Sequence, residues 1–175
     1  MNFSLRVMNS IRRLKNDLNK LNKDPAVGIS AQPIDDSLTE WQAVIAGPPS
    51  SPYEGGSFKL TLSFPNDYPF APPKVKFKSD VFHPNVSPTG SICLDILGSK
   101  WSPSYDVRSI LISIQSLLVD PGLHSTPQGA LNVEAEALYV FDRPAYMARV
   151  RAIVRRQQLD TSDISTDAPS YISDD

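Results

Sequence analysis

One cysteine, Cys93, stands among 175 residues, so no intrachain disulfide can form and secretion has no support. Two histidines, His83 and His124, lie far apart in the chain, which leaves no metal-ligand cluster to expect. A glycine-rich phosphate loop is absent. No apolar run reaches the roughly 18 residues that a membrane-spanning helix needs. The opening residues, Met1-Asn2-Phe3-Ser4-Leu5-Arg6, show no basic stretch followed by an apolar core, and Asn2 excludes the myristoylation pattern. Charge of one sign is also missing: 17 basic residues face 19 acidic ones, for a net charge of -2. General nucleic-acid binding needs a basic footprint that this balance does not supply. The expectation is a cytosolic or nuclear protein with no metal, no membrane contact and no nucleic-acid partner.

What is abundant is proline, with 16 residues, about twice the usual share. The prolines punctuate apolar segments, as in Phe64-Pro65-Asn66-Asp67-Tyr68-Pro69-Phe70-Ala71-Pro72-Pro73. Each ring fixes one backbone angle and restricts the residue before it, so this reads as rigid, ordered loop. Tyr68-Pro69 is a candidate cis bond. A hydrophobic share of 41% is enough for a substantial core.

Leu5, Met8, Ile11, Leu14, Leu18 and Leu21 recur at three- and four-residue spacing and predict an amphipathic helix over residues 3–22. Arg6, Arg12, Arg13, Lys15, Lys20 and Lys23 populate its other face, either as a solvated surface or as a docking surface for an acidic partner. Asp24-Pro25 ends it. Strands are expected at 29–34, weakly, and at 40–46. Phe58, Leu60, Leu62 and Phe64 then alternate with polar residues, and Val75 and Phe77 alternate with lysines. Short joining turns favour an antiparallel arrangement. Residues 79–104 contain no long regular element, but their apolar content predicts order. Asp106 is a plausible cap for a second helix with a broad stripe of Val107, Ile110, Leu111, Ile114, Leu117 and Leu118. Asn132 and Asp142 cap two more, with Pro144 in the first turn of the last one. The order is α+β, with a domain over residues 1–158 and an acidic, flexible tail over 159–175.

The chemistry concentrates in Phe82-His83-Pro84-Asn85-Val86-Ser87-Pro88-Thr89-Gly90-Ser91-Ile92-Cys93-Leu94-Asp95-Ile96-Leu97. A lone thiol near a carboxamide suits an acyl carrier: the sulfur attacks, and the amide donates to the developing oxyanion. A buried, inert cysteine is the competing reading. Asn85 equally suits a turn residue that holds its own loop. His83 invites a cysteine–histidine hydrolase, but a hydrolytic base would waste a carried thioester.

These residues resemble the ubiquitin-conjugating enzymes over about residues 10–155. Tyr68-Pro69-Phe70-Ala71-Pro72-Pro73-Lys74-Val75 is similar to the family's proline-rich signature, and His83-Pro84-Asn85 to its tripeptide. Gly90-Ser91-Ile92-Cys93-Leu94-Asp95-Ile96-Leu97 resembles the active-site strand, followed by Trp101-Ser102-Pro103. The resemblance implies a fold with an N-terminal helix, a four-stranded antiparallel sheet, a central helix and C-terminal helices. It implies that Cys93 accepts ubiquitin from an activating enzyme as a thioester and passes it to a substrate lysine, directly or with a RING-type or related ligase. ATP is then used upstream, and this chain binds no cofactor. A conjugating enzyme for another modifier such as SUMO is the alternative, as is a noncatalytic ubiquitin-binding adaptor; adaptors of this fold generally lack the nucleophile.

On the same resemblance, Asn85 stabilises the oxyanion, while His83 and Pro84 fix the active-site loop. Asp95 orients the incoming amine or holds the loop. Ser125 falls at the active-site gate, although Asp120-Pro121-Gly122 departs from the family's pattern there. Phe70, Pro103 and Ser104, flanked by Arg12 and Arg13, match the surface for ligase and activating enzyme, with core packing the competing role for Phe70. Ala71 and Asn16 stand where some relatives carry lysine. Ile112 either contacts the tethered ubiquitin or packs in the core. Ser30 matches a backside ubiquitin contact or is an ordinary exposed strand residue.

Overall fold

The computed structural model describes residues 3–121 and 129–163. Helix α1 (Phe3–Lys23) leads into strands β1 (Ile29–Pro33), β2 (Glu40–Ala46), β3 (Ser57–Ser63) and β4 (Lys74–Phe77). The strands pair in sequence order, all antiparallel, as a four-stranded meander. Period-two alternation sets the two faces. Trp41, Ala43, Ile45, Phe58, Leu60, Leu62, Val75 and Phe77 point inward and are buried, while Gln42, Lys59, Lys74 and Lys76 point out.

The inner face is covered by α2 (Val107–Val119), whose Val107, Ile110, Leu111, Ile114 and Leu118 join the same core and whose Leu117 is also buried. Burying each large aliphatic side chain contributes roughly 1.5–3 kcal/mol, so this stripe positions the helix on the sheet. Its start is fixed by a reciprocal cap. Asp106 accepts the Ser109 N–H at 2.9 Å, and the Ser109 hydroxyl accepts the Asp106 N–H at 2.9 Å. Asn132 caps α3 (Val133–Phe141), accepting the Ala135 N–H at 3.0 Å. Helix α4 (Arg143–Asp163) follows directly and runs past Gln158, the last residue of the domain expected from sequence. Residues 164–175 of the expected tail lie outside the described residues. The bond between Tyr68 and Pro69 is cis.

Between β4 and α2 the chain makes only a single 3-10 turn, Asp95–Leu97, and isolated β-bridges. Its order comes from tertiary contacts, and these build the site.

Candidate active site

The segment after β4 is stitched back onto the sheet. Phe77 donates its N–H to the Gly90 carbonyl at 2.9 Å, and Lys76 bridges to Ser91. Gly90 has φ +85°, and a Cβ there would run into the Phe77 carbonyl. Gly90→Ala is therefore expected to cost about 2–3 kcal/mol, from backbone strain plus the disturbed hydrogen bond. The denaturant midpoint should fall with the slope unchanged; an unmoved midpoint would contradict the clash.

From this anchor the chain doubles back on itself. Val86 bridges to Ile92, and Cys93 donates its N–H to the Asn85 carbonyl at 2.8 Å. The antiparallel register thus sets Asn85 opposite Cys93, a placement that brings side chains to within roughly 5 Å of each other in a regular pair. Asn85 is buried at 4% exposure, whereas Cys93 is only half-buried. Cys93 is thus partly open to solvent, and the carboxamide residue opposite it is not.

The His83 ring is fully buried, and its two nitrogens have separate tasks. Asn85 donates its N–H to Nδ1 at 2.9 Å, so Nδ1 is an acceptor. Nε2 therefore carries the proton and donates it to the Leu117 carbonyl at 2.9 Å. A ring held this way ties the loop to the end of α2 and presents no lone pair to a thiol. The hydrolase reading fails on that geometry. The Pro84 carbonyl accepts the N–H groups of Leu131 and Asn132 at 2.9 and 3.1 Å, which clasps the loop to the start of α3. Upstream, Tyr53 donates its hydroxyl to the Phe82 carbonyl at 2.7 Å. That carbonyl can only accept, so the 2.7 Å contact between the Tyr53 and Tyr146 hydroxyls uses the Tyr146 proton. Burial keeps both phenols neutral, pushing Tyr53 well above the usual tyrosine range and Tyr146 up to about 12.

A family model described as "Ubiquitin-conjugating enzyme" matches residues 13–154. The chain is 51% identical over 143 residues to "Ubiquitin-conjugating enzyme E2 2" of Candida albicans, covering 82% of this chain and 78% of that one. It is 49% identical over 145 residues to the protein of the same name from Fusarium solani, covering 83% and 93%. It is 48% identical over 159 residues to "Ubiquitin-conjugating enzyme E2 1" of Caenorhabditis elegans, covering 91% and 81%. The chain belongs to the ubiquitin-conjugating enzyme family. It is thus a transferase that works by ubiquitin thioester transfer, and ubiquitin, activating enzymes and ligases are its partners in general. Among the described residues no helix is long and apolar enough to cross a membrane, and no group of side chains could hold a metal ion.

The other expected residues of this conjugating enzyme fall in several places. Phe70 is 68% exposed, so it is not a core residue, and Pro103 and Ser104 are exposed as well. Arg12 is exposed. Arg13 differs from the expectation of an outward docking cation. Its Nε donates to Asp17 at 2.8 Å, and its two terminal nitrogens donate to the carbonyls of Pro103 and Tyr105, each at 2.7 Å. Tyr68 donates its hydroxyl to the other Asp17 oxygen at 2.6 Å, and Trp101 donates to the Pro69 carbonyl at 2.9 Å. Arg13 therefore ties α1 to the loop after Trp101, and Asp17 ties α1 to the proline-rich loop through Tyr68. The Arg13–Asp17 spacing of four residues was a legible sign of a helical pair; the tyrosine partner, far along the chain, carried no local signal.

Asp17 is 1% exposed, and removing it takes the carboxylate acceptor from the Arg13 Nε and from the Tyr68 hydroxyl. Asp17→Ala is expected to cost about 3 kcal/mol. In a domain of this size that lowers Tm by about 10 °C in calorimetry, with Asp17→Asn losing less. Equal melting temperatures for the three proteins would show that the node is dispensable.

Asp95 is engaged within its own turn. One oxygen accepts the Ile96 N–H at 2.8 Å and the other pairs with the Lys100 ammonium at 2.7 Å. Ile112 is half-buried on α2. Ser30 is exposed on β1 and lines a shallow outer-face groove of about 380 Å³ with Gln32, Gln42, Val44, Lys59 and Thr61. Ser125 lies outside the described residues.

Proposed function

We propose that Cys93 is the residue on which this enzyme carries ubiquitin. Its thiolate attacks the thioester carbonyl of ubiquitin on the activating enzyme, and that enzyme's cysteine leaves as a thiolate. In the second step a neutral lysine amine attacks the new thioester. The Cys93 thiolate leaves, the amine's proton passes to solvent, and an isopeptide bond remains. The observation that carries this reading is the half-buried cysteine opposite Asn85, on a loop pinned by His83, Pro84 and Gly90.

Asn85 supplies the oxyanion donor, and His83 and Pro84 position the loop. Asp95 works through the turn that follows the nucleophile; its pairing with Lys100 favours loop support over direct contact with the amine. Phe70, Pro103, Ser104 and Arg12 form the face for a RING-type or related ligase and for the activating enzyme, which then bind in alternation. Arg13 supports that face from within. A hydrophobic anchor with charged neighbours suits such recognition. Ile112 contacts the tethered ubiquitin, and Ser30 contributes to a second, noncovalent ubiquitin contact on the outer sheet face. The chain binds no cofactor, since ATP is spent by the activating enzyme.

Incubation with activating enzyme, ATP and ubiquitin tests the assignment. A reductant-sensitive adduct carrying one ubiquitin is expected, and it should be lost in Cys93→Ala. An adduct that persists in that variant would overturn the choice of residue.

A further inference from the structure

Five of the chain's nine arginines, Arg143, Arg149, Arg151, Arg155 and Arg156, fall in α4, with no acidic residue between Asp142 and Asp160. All five are exposed, and none enters an ion pair among the described residues. Arg143 and Arg149 cover the rings of Tyr139 and Phe82, at 3.6 and 5.3 Å from the centroids. Arg151 and Arg155, one turn apart, line a groove of about 300 Å³ between α4 and the turn before β3. The carboxylate on that groove, Glu54, accepts the Ser50 N–H at 2.9 Å. Helical spacing puts Arg149 and Arg156 in one row and Arg151 and Arg155 in another, with exposed Ala148 and Ala152 between them. Like charges four residues apart repel, and the small residues leave room for a chain to lie between the rows.

The opposite charge follows at once in the sequence. Residues 160–175 contain Asp160, Asp163, Asp167, Asp174 and Asp175 and no basic residue. We propose that residues 164–175 fold back along α4 and set their aspartates against the two arginine rows of the same molecule. The lengths allow it. The stretch 164–175 spans up to about 40 Å when extended, and Arg149 lies about 21 Å back along the helix from its end. Asp167 reaches Arg155 and Arg156 after a short reversal, and Asp174 and Asp175 reach Arg149. Single exposed ion pairs are weak and salt-screened. Tethering offsets that weakness, because the local concentration of a segment this close is on the order of millimolar. The tail is thus the first occupant of the face, ahead of any other polyanion. This placement does not depend on the assignment of the nucleophile.

The test uses the full chain and a full-length variant, Asp167→Asn/Asp174→Asn/Asp175→Asn. At low ionic strength the NMR signals of the Nε–H groups of Arg151, Arg155 and Arg156 should differ between the two proteins. The difference should vanish at about 1 M salt, where the screening length falls to about 3 Å. It should not depend on protein concentration. In the reciprocal variant, Arg151→Ser/Arg155→Ser, the backbone amides of 164–175 should move. Superimposable arginine signals at low salt would overturn the proposal. A difference that grows with protein concentration would also overturn it, by seating the tail on a second copy. So would equal binding of heparin to both proteins, which would mark the face as open.

Discussion

Cys93→Ser is expected to leave a protein that accumulates, at most, a slowly formed ubiquitin ester and does not pass it to lysine. A thiol at neutral pH already holds a small share of thiolate, whereas a serine hydroxyl needs a neighbouring base. His83 cannot serve as that base. Its Nδ1 accepts the Asn85 N–H, and its Nε2–H is donated to the Leu117 carbonyl. The product is also less reactive, since an alkoxide is a poorer leaving group than a thiolate. Loading reactions resolved with and without reductant should show an adduct that survives reductant and is cleaved by alkali. Lysine discharge should fall below detection in a single-turnover chase. Discharge near the wild-type rate would mean that another residue carries the acyl group.

Asn85→Ala should separate the two half-reactions. Loading exchanges one thioester for another and draws its rate largely from the activating enzyme. Discharge to an amine passes through a tetrahedral oxyanion beside Cys93, where the register places Asn85. Loss of one oxyanion donor typically costs 100-fold or more in rate. We expect thioester formation to persist and discharge to free lysine to slow by about that factor. Because Asn85 is buried, its removal could also loosen the loop, so the backbone donors must be checked. Protection of the Cys93 and Leu131 amides from hydrogen exchange should be retained. Slowed discharge with those amides protected supports the donor role, and unchanged discharge removes it.

Most of the fold was legible because its periodicity is local. The alternation of Phe58, Leu60, Leu62 and Phe64 fixed one strand and its buried face, and the stripe from Val107 to Leu118 fixed the central helix. Asp106, Asn132 and Asp142 marked helix starts because capping is also local: each accepts the N–H three residues on, from Ser109, Ala135 and Ala145. The active-site loop was legible only as a motif. Nothing in its spacing reveals that Gly90 must clear the Phe77 carbonyl, or that the Pro84 carbonyl receives two donors from beyond α2. Arg13 is the instructive difference. Composition places it among solvated cations, yet its three carbonyl and carboxylate partners lie on α1 and on the loop after Trp101, an arrangement visible only in three dimensions.

The ion pair between Asp95 and Lys100 has a consequence for self-acylation. A protein that holds a lysine-reactive acyl group must live with its own amines, and Lys100 is the one nearest to Cys93 along the chain. Hydrogen bonding to Asp95 raises the affinity of that amine for its proton. An ammonium has no lone pair to attack with, so the contact that braces the turn also reduces the small share of Lys100 able to react with an acyl group.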